Sequence, residues 1–245
     1  YRFDHAKYLV VDGDTVLLGS ENFKPDGYPE PGLRGNRGWG VRLEHPGLAG
    51  YFVEVFLHDV AGGDIVPMEG TAAEPGTSWS SSYRVEFASC RADGARVTPV
   101  ISPDTSFLIH RLIEGAEESI AIEQAYITNE TGTVLNPYLA AAINASRRGV
   151  SVRVLLDSAW FNIEDEADND EMVDVINRIA TAEGLPLEAR LVDIEANNLV
   201  KVHNKGVIVD DRAVLVSSIN WNANSPAFNR EAGVIIEHPA IATYY

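Results

Sequence analysis

Residues 5–22 read HAKYLVVDGDTVLLGSEN, and residues 203–220 read HNKGVIVDDRAVLVSSIN. Laid on one another without a gap, they match His5 with His203, Lys7 with Lys205, Asp12 with Asp210, Ser20 with Ser218 and Asn22 with Asn220. Five specified residues at roughly 5% usage each recur by accident about once in several million start positions. The likeness continues past this motif. NRGWGVRLEHPGLAGYF (36–52) aligns with NREAGVIIEHPAIATYY (229–245), matching Asn36, Arg37, Gly40, Val41, Glu44, His45, Pro46, Ala49 and Tyr51. A repeat at a spacing of almost 200 residues is far too long for a solenoid and points instead to two related halves.

Each motif reads as a hairpin. Alternation places His5 and Lys7 on one face of a strand, and Ser20 and Asn22 on one face of the next. Asp12-Gly13-Asp14 is a turn signal. With Gly13 and Asp14 at the tip, Lys7 is expected opposite Ser20 and His5 opposite Asn22. The second copy likewise places Lys205 opposite Ser218 and His203 opposite Asn220. Asp12 and Asp210 fall at the hairpin corners and read as structural.

Burying such a set for architecture alone would cost on the order of several kcal/mol, and here it occurs twice. Two lysines, two asparagines and two serines offer donors with no carboxylate among them, which suits a pocket for a phosphoryl oxyanion. Two histidines complete the chemistry, one as nucleophile at phosphorus and the other as general acid for the leaving oxygen. No metal and no cofactor is expected, because two ammonium groups would repel a cation.

The rest of the chain alternates strands and helices. Ser102-Pro103-Asp104 is expected to open a helix, with Ser102 as its cap. A strand is expected at 119–127, a helix capped by Asn136-Pro137 and ending near Arg147-Arg148, and a strand at 150–157. A helix from about Asp170 to Glu183, stopped by Gly184, and a strand at 187–193 complete the pattern. Such alternation predicts an α/β fold with a layered mixed sheet flanked by helices. The expected division is 1–60 for the first half, 61–96 for a Gly/Ser/Pro-rich connector and 97–245 for the second half. Set against each other, the copies lead us to expect a first half truncated at its N-terminus and a second truncated at its C-terminus. The run EDEADNDE (164–171) lacks the glycine and final glutamate of a calcium loop and reads as a solvated loop before a helix.

Formal charge is −17, from 36 acidic and 19 basic residues. This acidity suggests a high-salt host, with a GC-rich mesophile as the alternative, and disfavours nucleic-acid binding through a broad basic surface. The four lysines are Lys7, Lys24, Lys201 and Lys205, so half of them sit in the repeated motif, where a compact ammonium is wanted. The single cysteine, Cys90, excludes an internal disulfide framework.

Both motif copies match His-x-Lys, four residues, Asp, six residues, a small residue, Ser-x-Asn. This resembles the phospholipase D superfamily. The resemblance implies two pseudo-twofold related halves whose histidines meet at one site, and a phosphohistidine intermediate resolved by water or an alcohol. Family substrates include phospholipids and nucleic acids. The tail SSINWNANS…NREAGVII is similar to phospholipase and phospholipid-synthase members, so a phospholipid substrate and a membrane-associated or extracytoplasmic setting are expected. A metal-independent nuclease and an inactive binding member are the alternatives. The family usually places an acid after each motif to hold the histidine. Glu231 fills that place in copy two and is expected to hold His203, which favours His203 as the attacker, whereas the resemblance implies the first histidine, His5, as nucleophile. Copy one has Gly38 there. Arg37 and Arg230 are candidates for a second phosphate, and Trp39, Trp160 and Trp221 for lining a lipid or base pocket.

Overall fold

The computed structural model describes residues 3–30, 33–62, 89–129, 134–164 and 167–245. The first half comprises β1 (Phe3–Asp4), β2 (Tyr8–Val11), β3 (Thr15–Gly19), β4 (Gly35–Arg37), β5 (Gly40–Glu44) and helix α1 (Pro46–Ala61). The second half opens with β6 (Arg96–Ser102), α2 (Phe107–Glu114), β7 (Ser119–Gln124), α3 (Pro137–Arg147) and β8 (Ser151–Leu156). After a 3-10 turn at Trp160–Asn162 come α4 (Asn169–Glu183), β9 (Leu187–Leu191), β10 (Leu199–Val202), β11 (Lys205–Val209) and β12 (Ala213–Ser217). The chain closes with α5 (Ser225–Phe228), β13 (Asn229–Glu237) and α6 (Pro239–Tyr244). Most of the expected connector lies outside the described residues, and residues 89–95 carry neither helix nor strand.

An eight-stranded mixed sheet runs β1-β13-β12-β11-β7-β8-β9, with β6 also paired to β13. This is the layered α/β architecture expected from the alternation. Strand β12 and the stretch Ala232–Ile236 of β13 read as apolar runs because both of their faces are covered. Leu215 and Ile235 face one way, into a core shared with Ile109, Ile113, Leu139, Ile143 and Ile176 of helices α2, α3 and α4. Val214, Val216, Val234 and Ile236 face the other way, onto Val16 and Leu18 of β3 and Ala49 and Phe52 of α1. The first half therefore packs on the sheet of the second. Each fully buried side chain of this size contributes roughly 1.5–3 kcal/mol.

Helix ends follow local chemistry. Asn136 accepts from the backbone N–H of Tyr138 and Leu139 at the start of α3, and Gly184 ends α4 in the left-handed region at φ 63°. The matched residues His45 and His238 are the N-caps of α1 and α6, each followed by proline. One expectation is corrected here. Ser102 does not cap a helix; it ends β6, which pairs along its whole length with β13, and its hydroxyl donates to the Ser225 carbonyl at 2.6 Å. Sheet pairing overrides the local helix signal, and the helix begins at Phe107 instead.

The duplication is visible in the hairpins. Val11 pairs with Thr15 and Val209 with Ala213, in the same register. That register is one residue away from the expected one. The turn residues are Asp12 and Gly13, at φ 51° and 73°, and in the second copy Asp210 and Asp211, at φ 52° and 49°. Two consecutive left-handed residues make a turn whose twist matches the strands, and aspartate tolerates that conformation. Lys7 consequently stands opposite Gly19, whose N–H it receives at 3.2 Å.

Two short parallel pairings join the halves. Strand β1 lies on β13, Asp4 beside Arg230, and β10 lies on β4, Val202 beside Arg37. Each leads directly into a motif histidine. Among the described residues no helix is long and apolar enough to cross a membrane.

Candidate active site

The two crossing strands place His5 and His203 at the seam between the halves by matched contacts. The His5 N–H donates to the Arg230 carbonyl at 2.8 Å, and the His203 N–H donates to the Arg37 carbonyl at 2.9 Å. The lysines follow the same rule within their own motifs. Lys7 Nζ donates to the His5 carbonyl at 2.5 Å, and Lys205 Nζ to the His203 carbonyl at 2.6 Å. Both ammonium groups are thereby drawn back beside the histidines.

Each histidine has a carboxylate from the opposite half. Glu231 accepts from His5 Nδ1 at 2.8 Å, its second oxygen lying at 3.1 Å. Glu21 Oε2 lies 3.5 Å from His203 Nδ1, longer than an ordinary hydrogen bond, and Nδ1 is buried without a hydrogen-bond partner. The expected pairing of Glu231 with His203 is therefore corrected. Glu231 sits on β13, against which β1 and thus His5 are laid. Glu21 was missed by the reading of the sequence. Its signal was available: the middle residue of Ser-x-Asn is Glu in one copy and Ile219 in the other, while Gly38 stands where Glu231 is matched.

The electrostatics are those of a buried, charged seam. Burial brings the Lys7 ammonium down to a pKa of about 8, against the opposing pull of Glu231, Asp4 and Glu21. Lys205, almost fully buried, is held well below the ordinary lysine range by desolvation, with Lys7 and Lys201 adding repulsion against Glu21 and Glu231. Desolvation also lowers His203 to about 4; Lys205 adds to that, and Glu21 works against it. For Glu21, burial pushes the carboxyl up, but His203, Asn36 and Lys205 outweigh it and leave it below its usual value. The His5–Glu231 and His203–Glu21 contacts both run between the halves, so the site is built from both copies.

The serines serve the carboxylates and the strands and are fully buried. Ser218 donates to Glu231 at 2.6 Å and accepts from the Ala232 N–H at 3.1 Å. Ser20 accepts from the Trp39 N–H at 3.0 Å and lies 3.3 Å from Asn204 Oδ1. Asn22 and Asn220 are half-buried, and the Asn220 Oδ1 atom is buried without a protein partner. Asp210 accepts from the N–H groups of Glu117, Glu118 and Ser119, whereas Asp12 is exposed.

Arg230, Trp39 and Trp221 depart from their expected roles. Arg230 is committed to Asp59 at 3.0 Å and Asp104 at 2.8 Å, pinning α1 to the second half. Arg37 pairs with Glu123 at 3.1 Å, and Glu123 also accepts from Asn204 at 2.8 Å. Trp221 is fully buried in the helix-side core and Trp39 in the core between the halves, so neither lines a pocket. Gly206 makes room for Trp39, because a Cβ there would stand 2.1 Å from its ring. Trp160 is exposed beside Phe161. Among the described residues no group of three or more His, Cys, Asp or Glu is arranged to hold a metal.

Comparison with known proteins agrees with this geometry. Phospholipase D of Rickettsia prowazekii is 30% identical over 142 residues, covering 58% of this chain and 58% of that protein. Cardiolipin synthase B of Salmonella typhi is 26% identical over 145 residues, 55% of this chain and 32% of that one. The chain thus spans little more than half the length of the Rickettsia relative. The crystal structure of phosphatidylserine synthase from Haemophilus influenzae Rd KW20 superposes with a TM-score of 0.66 at 19% identity, over 96% of this chain and 58% of that chain, and shows the same fold. Residues 109–245 match the family model described as cardiolipin synthase, PLD-like domain; with more than half its length matched and the paired histidines meeting at one seam, the chain belongs to the phospholipase D superfamily.

Proposed function

We propose that this chain is a phosphodiesterase or phosphatidyl transferase that acts on phospholipid through a phosphohistidine. The observation that carries the reading is the crossed arrangement: two His–Lys pairs, each histidine with a carboxylate from the other half. His5 Nδ1 donates to Glu231, which leaves Nε2 with its lone pair free to attack phosphorus. As the new P–N bond forms, the P–O bond to the leaving alcohol breaks, and the departing oxygen takes a proton from His203. Water or an acceptor alcohol then gives a proton back to His203 and attacks the phosphohistidine, breaking P–N. Lys7 and Lys205 neutralise the equatorial oxygens throughout. His203 must be protonated to act as the acid, and a bound phosphodiester anion opposes the desolvation that otherwise lowers its pKa.

The attacker in this reading is His5. The sequence argument favoured His203 because it assigned Glu231 to that ring; with Glu231 on His5, the same criterion selects His5. A lipid substrate is supported by Phe3, which is 59% exposed and lies 5.8 Å from the His5 ring, while the net charge of −17 disfavours nucleic acid. The relatives named phospholipase D and cardiolipin synthase B point the same way. We also propose that the reaction needs no divalent cation, since two ammonium groups flank the phosphate. Quenching turnover of a short-chain phosphatidylcholine in alkaline SDS, where the P–N bond survives, followed by peptide mapping, is expected to give phosphohistidine at His5, undiminished by a chelator. Label at His203 alone would reverse the assignment, and cleavage of single-stranded DNA but not lipid would overturn the substrate class.

A further inference from the structure

In the second half the carboxylate comes from Glu231 on β13; the matched place in the first half is Gly38, which has no side chain to offer. Yet a carboxylate is present, from Glu21 just beyond β3, at the place matched in the second half by Ile219, a fully buried core residue. The two choices exclude one another. A Cβ on Gly38 would stand 2.3 Å from Glu21 Cγ and 2.4 Å from Glu21 Oε1. The two carboxylates nevertheless share one matched neighbour, although Ser218 donates to Glu231 and Ser20 does not reach Glu21. Asn36 and Asn229 are matched asparagines, and Asn36 Nδ2 donates to Glu21 at 3.0 Å while Asn229 Nδ2 donates to Glu231 at 3.4 Å. Glu21 is only 6% exposed, a costly place for a charge that had no task there.

We infer that Glu21 is the positioning residue of His203, supplied from a different strand end than its counterpart Glu231, and that Gly38 is the space this substitution requires. The pair Glu21/Gly38 in the first half is the reciprocal of Ile219/Glu231 in the second. Only the outcome is conserved between the halves: one carboxylate beside each Nδ1. The two ends are not equal, however. His5 is tethered at 2.8 Å and His203 stands off at 3.5 Å, which suits a fixed nucleophile and a ring that must take and release a proton. This division of labour rests on the proposed phosphohistidine mechanism, whereas the positioning of His203 does not.

The test uses ¹⁵N-imidazole NMR of the intact chain, which reads the tautomer of His203 without any substrate, alongside turnover of a chromogenic phosphodiester. In the native chain His203 is expected as the Nδ1–H tautomer. Glu21→Gln removes the charge with little change of shape, and Gly38→Ala displaces the carboxylate without removing it. Both are expected to shift His203 toward a mixture of tautomers and to lower kcat about 10- to 100-fold, with KM changing far less. The double variant Glu21→Ile with Gly38→Glu rebuilds the arrangement of the second half and is expected to restore the Nδ1–H tautomer and most of kcat. An unchanged His203 tautomer in folded Glu21→Gln and Gly38→Ala would overturn the inference. So would a folded double variant in which the tautomer stays mixed. If the double variant does not fold, the two single variants decide. A tautomer shift with no phosphodiesterase activity in the native chain would leave the positioning role standing and remove the proposed function instead.

Discussion

His203 offers 11% of its side chain to solvent and lies beside a buried ammonium, so its proton is costly in the folded state. With its pKa taken from 6.5 to about 4, the unfolded chain binds a proton between those values that the folded chain refuses. Stability therefore rises with pH through that window, by about 3 kcal/mol for ~2.5 units. Urea denaturation at pH 5 and pH 7 is expected to show a smaller pH difference for His203→Asn than for the native chain. Lys7 carries a matching signature for activity. Its ammonium is present below a pKa of about 8 and is lost above it, so kcat/KM is expected to fall as pH rises through that value. Replacing Lys7 or Lys205 by alanine removes an oxyanion partner and is expected to cost roughly 2–4 kcal/mol of transition-state stabilisation, read from kcat/KM. At this scale the sequence was most legible: both His–Lys pairs were evident from spacing alone. Ser20 and Ser218 were recognised as part of the set, but their bonds run to backbone, Asn204 and Glu231, which spacing does not reveal.

The hairpins show how one element differs from its copy. Asp210 sits at a left-handed turn position and gathers three N–H groups at the start of β7, with Arg212 3.1 Å away. Those bonds hold its carboxyl below the usual range despite the cost of burial. Asp12, at the matched corner, is exposed. Asp210→Ala is expected to destabilise the chain by about 2–3 kcal/mol, the range for hydrogen bonds to a charged group, and Asp12→Ala by less than about 1 kcal/mol. Thermal denaturation of the two variants measures the contrast. Helices α3 and α4 were readable from their caps, whereas β6 was not: its partner β13 lies more than a hundred residues away, and Ser102-Pro103 carries a genuine helix-start signal.

For the whole molecule, the seam is both the structural joint and the site. Arg230 is 7% exposed and joins Asp59 of α1 to Asp104 of the second half, while its carbonyl holds the His5 N–H. Arg230→Met leaves Asp59 buried without its cation and is expected to cost on the order of 3–5 kcal/mol. Denaturant unfolding measures the loss. Activity in the surviving folded fraction should fall as well, because β1 is laid against the residue that was changed. Retention of native stability in this variant would show that the ion pair does not join the halves.

The duplication, the existence of the hairpins, the caps of α3 and α4 and the paired reactive side chains were determined by the sequence alone, because each depends on residues a few positions apart or on a repeat that can be counted. Which carboxylate serves which histidine was decided only by tertiary structure. Glu231 and His5 are 226 residues apart and meet because β1 runs parallel to β13, and Glu21 reaches His203 because β10 runs parallel to β4. The same holds for Arg230 and Trp39. A charge or a ring has no assigned partner until the halves are packed, and burial then leaves each polar group the partners within reach.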